Sequence, residues 1–170
     1  LGSFPPPRKR WSMDFFYPNY TNDMWRIFGL IFFDDKDHFV DIEKKKFCKD
    51  NIEQFLREKA IAVSDTVAVA NRLNGNASDL TLEVVEPLNL AGILDQIPRC
   101  HTLVTTGQKA TDTLLSITGS PAPEIGGFVD FLYHNRRLRL YRMPSTSRAY
   151  PKPLTDKAKI YRTIFQNFEQ

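Results

Sequence analysis

Four stretches of this chain carry residue types that can act on a small polar ligand. Leu1-Gly2-Ser3-Phe4-Pro5-Pro6 offers a hydroxyl, an aromatic ring and stiff prolines. Tyr17-Pro18-Asn19-Tyr20-Thr21-Asn22-Asp23-Met24-Trp25 offers a second ring and an amide. Asp65 follows an apolar run, and Met143-Pro144-Ser145-Thr146-Ser147-Arg148-Ala149-Tyr150 is a hydroxyl-rich loop with a cation. If the strands ending at Ser3, Asp65 and Pro144–Ser147 are parallel and adjacent, their ends converge on one cleft, where open α/β sheets bind ligands. Tyr17 and the prolines then wall it, and Asn22 enters from the first helix. A narrow polar pocket with an aromatic wall and a basic rim suits a nucleobase turned out of its stack. Each residue also has a plainer reading: Asn22 as a helix cap, Asp65 as a turn former, Tyr17 as a core aromatic, Ser145–Ser147 as a turn cap.

The elements that must position these residues follow from periodicity. Leu1–Ser3 reads as the end of a strand whose beginning is missing, so residues are expected before Leu1. Thr21 or Asn22 is expected to cap a helix through Phe33, and Asp50 to cap Asn51–Lys59, with Ile52, Phe55 and Leu56 at helical spacing. Ala60–Ser64 reads as a buried strand and Arg72–Asp79 as a loop. Leu88–Ile97 reads as a helix and Thr102–Thr106 as a strand. Gly107 turns into a helix over 108–117, the plain reading of Thr106-Gly107-Gln108-Lys109. Phe128–Tyr133 and Leu138–Met143 read as strands separated by Asn135-Arg136. Thr155–Phe168 reads as an amphipathic helix with Ala158, Tyr161, Ile164 and Phe165 on one side. Strands alternating with helices predict a three-layer α/β/α fold around a central, mainly parallel sheet. The 170 residues are expected to form one domain.

Bulk properties narrow the classes. No apolar run approaches the ~20 residues of a membrane span. Cys48 and Cys100 lack metal-ligand spacing and read as reduced thiols of a cytoplasmic protein. Two cysteines cannot alone hold an iron–sulfur cluster. His38, His101 and His134 are scattered and read as surface or structural residues. The serine-hydrolase elbow, the zinc-protease helix, the Walker loop and the dinucleotide fingerprint are all missing. Net charge is +3, but no acid precedes Asp14 and none lies between Asp130 and Asp156. Arg8, Lys9, Arg10, Arg136, Arg137, Arg139, Arg142, Arg148 and Lys152 fall in those two stretches, a pattern suited to phosphates.

Taken in order, these motifs resemble the uracil-DNA glycosylase superfamily over nearly the whole chain. Gly2-Ser3-Phe4-Pro5 is similar to the Gly-x-Asn-Pro-Gly loop of mismatch-specific uracil glycosylases, and closer to the Gly-Ser-Met/Phe-Pro-Gly form of the hypoxanthine-DNA glycosylase branch. Tyr17 and Asn22-Asp23-Met24-Trp25 resemble that branch's Tyr and Asn-x-Phe-Trp. Met143-Pro144-Ser145-Thr146-Ser147 resembles its Leu-Pro-Ser-Thr-Ser. Ala60–Asp65 looks like its strand ending in Trp-Asp, and Arg72 with Ser78-Asp79 like its following loop. The resemblance implies a uracil-DNA glycosylase-like fold and a monofunctional DNA glycosylase. Its substrate would be DNA containing uracil, hypoxanthine, xanthine or a mismatched base. It implies Asn22 and Ser3 as catalytic, Phe4, Tyr17 and Asp65 as base-binding, and Pro144, Ser145, Thr146, Ser147 and Arg148 as DNA-binding. It implies no cofactor, no metal, no membrane partner and a monomer. The first loop carries no carboxylate, Pro6 stands in place of the loop's second Gly, and Met143 stands where the strongest uracil enzymes have His. Two other classes stay open: a catalytically silent nucleic-acid-binding protein of the same fold, and a nucleotide-binding α/β protein.

Overall fold

The computed structural model describes residues 1–73 and 78–166. The chain is mixed α/β, with five α-helices among the described residues. It divides into two compact units. The first comprises Leu1–Phe4 and Asp65–Ser145, and the second comprises Pro5–Ser64 and Thr146–Gln170. No helix among the described residues is long and apolar enough to cross a membrane.

In the second unit, a 3-10 turn at Arg8–Arg10 precedes helix α1 (Met24–Phe33). A small antiparallel hairpin joins β1 (Val40–Asp41) to β2 (Lys46–Phe47), followed by α2 (Lys49–Glu58). Helix α5 (Leu154–Gln166) returns to pack on α1, so Phe28 and Phe32 meet Phe165 edge-on at 6.0 and 4.8 Å. Trp25, Ile27, Phe39, Phe47, Ile52 and Tyr161 fill the core. Gly29 is required where α1 meets the chain that follows it, because a Cβ there would lie 2.3 Å from the Asp35 carbonyl oxygen.

The first unit holds an antiparallel pair, β3 (Val67–Arg72) with β4 (Leu82–Pro87), and helices α3 (Leu90–Gln96) and α4 (Gln108–Thr118). Its three-stranded sheet has the order β5 (Thr102–Thr106), β7 (Arg136–Met143), β6 (Phe128–Tyr133). β5 runs parallel to β7 and β6 antiparallel to it, so this sheet is mixed. Leu90, Leu94, Leu103, Leu114, Leu138 and Leu140 form the core. Leu1–Ser3 runs alongside β5, with the Leu1 amine donating to the Val104 carbonyl at 2.7 Å and Thr106 N–H to the Leu1 carbonyl at 3.0 Å. On its other side, Gly2 pairs in parallel with Asp65, and Thr66 and Val67 N–H donate to Gly2 and Ser3 carbonyls.

Several expectations need correction. Ala60–Ser64 is not a strand, because its first residues close α2. Ala60 takes φ 53, and Ile61 N–H reaches back to the Leu56 carbonyl at 2.9 Å, a Schellman-type ending. Of residues 60–65, Asp65 alone makes a bridge, to Gly2. Helix α2 starts at Lys49, which puts Asp50 inside its first turn, where a carboxylate favours the helix dipole without capping. The turn between β6 and β7 is His134-Asn135, both left-handed (φ 46 and 63), one residue earlier than read. The strands ending at Ser3 and Met143 are not neighbours, since β5 lies between them. In the stretch expected as a loop, Arg72 ends β3 and Asp79 opens a 3-10 turn, while residues 74–77 lie outside the described residues. So do residues 167–168 of the expected last helix.

Candidate functional site

The residues singled out above fall into two groups, one in each unit, and each group is built by its own unit's elements.

In the first unit, parallel pairing sets the ends. Gly2 faces Asp65, Leu1 lies beside Val104–Thr106, and Thr106 pairs with Met143. The carboxyl ends of these segments, at Ser3, Asp65, Gly107 and Pro144, therefore share one edge of the unit. Ser3 Oγ donates to the Asp79 carboxylate, with both oxygens at 2.9 Å. Asp79 opens the 3-10 turn, in which Ser78 Oγ accepts Leu80 N–H. The Arg72 guanidinium lies 5.7 Å from the Phe4 ring centre. Desolvation pushes the Asp79 carboxyl upward, against the Ser3 hydrogen bond and the charges of Arg72 and Lys109. Burial pushes Asp65 up to about 6, with the charge of Asp79 adding to the rise. At neutral pH Asp65 is thus mainly a carboxylate that only accepts hydrogen bonds, and in mild acid it gains a donor. Pro144-Ser145 leaves β7 against Gly107. That glycine has φ +95, and a Cβ on it would lie 3.3 Å from Ser145 Cβ.

In the second unit, Tyr17 adopts φ 51, an unfavourable backbone for an aromatic residue, and meets Trp25 edge-on at 6.1 Å. Asn22 Oδ1 accepts the Met24 N–H at 2.9 Å, an Asx turn just ahead of α1, but the N-cap is Asp23, one residue later than expected, with no side-chain cap bond. The bond from Met24 uses one of two lone pairs. The amide NH2 has no partner among the described residues. Asp23, next in the chain, ties Asn22 to the second loop. Its N–H donates to the Thr146 carbonyl at 2.9 Å. Its Oδ2 accepts from Lys157 Nζ at 2.8 Å, and its Oδ1 lies 3.4 Å from Arg148 Nε. Lys157 is completely buried and also donates to the Ser147 carbonyl at 2.9 Å. Ser147 Oγ accepts Ala149 N–H and shapes the same loop. The structure thus brings Asn22 together with Thr146, Ser147 and Arg148.

Asp23 and Asp79 entered the sequence reading only as members of motifs, with no role of their own, and Lys157 and Arg26 not at all. Two signals point to the latter pair. Arg26 is the one charged residue of an otherwise apolar α1, and Lys157 falls in the buried stripe with Tyr161 and Ile164. The basic stretch of β7 is also less available than its composition implies. Arg139 is paired with Asp130 at 2.7 Å, Arg136 binds the Leu94 carbonyl, and Arg142 binds the Pro123 carbonyl and the Gln108 side chain.

No family model, curated protein or solved structure matches this chain.

Proposed function

We propose that this chain is a monofunctional DNA glycosylase that hydrolyses the N-glycosidic bond of a deaminated base turned out of DNA. The observation that carries the reading is the parallel pairing of Gly2 with Asp65, which sets a carboxyl group beside the first loop. Asp65 accepts the ring N–H of uracil, hypoxanthine or xanthine, and as a carboxylate it disfavours adenine's N1 acceptor. Backbone N–H groups near Ser3 stabilise the electron pair that the base takes with it when the bond to C1′ breaks. Asn22 orients a water whose oxygen bonds to C1′ as positive charge develops on the sugar, and the proton the water sheds passes through solvent to the departed base anion, which leaves as the neutral base. Its free amide donors suit that role, and the task is positioning, since an amide removes no proton. The Thr146–Arg148 loop, tied to Asn22 through Asp23, faces the phosphates. The three-layer arrangement with a mainly parallel centre belongs to this reading.

The test is single-turnover excision on duplexes containing uracil, hypoxanthine or xanthine. The wild-type chain is expected to excise at least one, and Asp65→Ala to lose excision at least 100-fold while keeping DNA affinity within a few-fold. DNA binding with no excision on any duplex would instead support a silent DNA-binding protein.

A further inference from the structure

A cleft of about 330 Å³ opens within the second unit, lined by Asp23, Arg26, Lys36, Arg148 and Lys152 among others. Its charge does not balance. Asp23 is its one acid, and that carboxylate is already held by Lys157 at 2.8 Å. Lys36 is flanked in sequence by Asp34, Asp35 and Asp37 but makes no ion pair with them among the described residues. Arg26 is only 7% exposed, and its Nη1 donates to the carbonyls of Tyr20 (2.6 Å) and Asn22 (3.3 Å). The rings of Tyr20 and Phe47 pack on its guanidinium at 4.8 and 5.2 Å. No carboxylate pairs with Arg26 among the described residues, and its Nε and Nη2 have no acceptor there. Those spare donors still reach solvent, since no buried side-chain nitrogen lacks a partner among the described residues, and a guanidinium with donors to spare is a fork that fits tetrahedral oxyanions.

We propose that this cleft is a phosphate-binding site, with Arg26 as its floor and Arg148 and Lys152 at its mouth. The phosphate is one of a nucleic-acid backbone, a source that rests on the glycosylase reading; a free nucleotide carries the same chemistry. Arg148 is 62% exposed and touches Asp23 only at 3.4 Å, so it can turn to the ligand while Lys157 keeps Asp23 neutralised.

The test compares wild type with the double variant Arg148→Gln/Lys152→Gln, in which Arg148 is exposed and Lys152 half-buried. Arg26→Lys, which keeps the charge and loses the fork, is a third protein, its fold checked by circular dichroism. Anisotropy with a uracil-containing duplex across a salt series gives the slope of log affinity against log salt. Calorimetry with inorganic phosphate and with deoxyuridine monophosphate gives the other arms. In the double variant the slope is expected to become shallower by about one, with roughly tenfold weaker duplex binding at low salt and weaker phosphate binding. Weaker phosphate and nucleotide binding with an unchanged duplex slope would support the site and assign it to free nucleotides. Unchanged behaviour in every arm overturns the proposal. Altered slopes in a protein that excises nothing would defeat the glycosylase reading and leave the cleft standing.

Discussion

Burial is what lifts the Asp65 carboxyl from 3.8 to about 6, and a raised acid has a defined effect on stability. The folded chain binds this proton more tightly than the unfolded chain does. The resulting stability is complete below about pH 4 and is lost as pH rises through 6. Asp65→Asn, which removes the ionisation, is therefore expected to stabilise the protein at pH 8 by up to about 3 kcal/mol, with the gain vanishing near pH 4. Urea unfolding at the two pH values checks this, and a pH-independent difference would refute it. Lys157 makes the opposite case. Lys157→Met strands Asp23 in the interior with only the looser contact to Arg148, and the expected cost is about 3–5 kcal/mol. Adding Asp23→Asn to that variant should return part of the loss in the same measurement. Asn22 stood out in the sequence because it precedes a recognisable helix, and Asp65 because it ends an apolar run, although that run is no strand. Lys157 did not, because a lysine in an apolar helical stripe identifies no partner until Asp23, 134 residues away, is placed beside it.

Two glycines show how elements fix the loops they carry. Gly29 lies within α1, where alanine is the better helix former by about 1 kcal/mol. Yet its Cβ would lie 2.3 Å from a backbone oxygen, so Gly29→Ala is expected to destabilise by about 1–3 kcal/mol. Gly107→Ala is expected to lose about 1 kcal/mol through its left-handed backbone and to press on Ser145, lowering excision more than stability alone explains. Thermal melts beside single-turnover rates separate the two effects. The helices were legible because their apolar spacing and stop signals are local: α1 ends at Phe33 and α4 begins at Gln108 as read. β5 and β6 were legible for the same reason, as apolar runs between turn residues. The pairs β1–β2 and β3–β4 were not. Their strands are short or half-exposed, and Val67–Arg72 has neither a buried run nor a clean alternation. Ala60–Ser64 misled because an apolar run also suits the end of a helix, and composition does not reveal the left-handed turn at Ala60.

The chain passes between its two compact units at Phe4–Pro5, Ser64–Asp65 and Ser145–Thr146, and each passage falls in a loop that the sequence marks for chemistry. Neither unit is a continuous stretch. A fragment of residues 5–64 lacks Phe165 against Phe28 and Phe32, and lacks Lys157 against Asp23. It is expected to show no cooperative urea transition by circular dichroism, whereas the whole chain shows one. A sharp transition in the fragment would contradict this account of its core.

The distance along the chain from Asp23 to Lys157 also sets a clock. At about 5–20 residues per second, a ribosome takes roughly 7–27 s to cover the 134 residues from the aspartate to the lysine. Through that interval the carboxylate must stay hydrated, because nothing else balances it fully inside. Nascent α1, with Arg26 as its one charge, therefore waits for the ion pair at its N-cap until the last helix has been made.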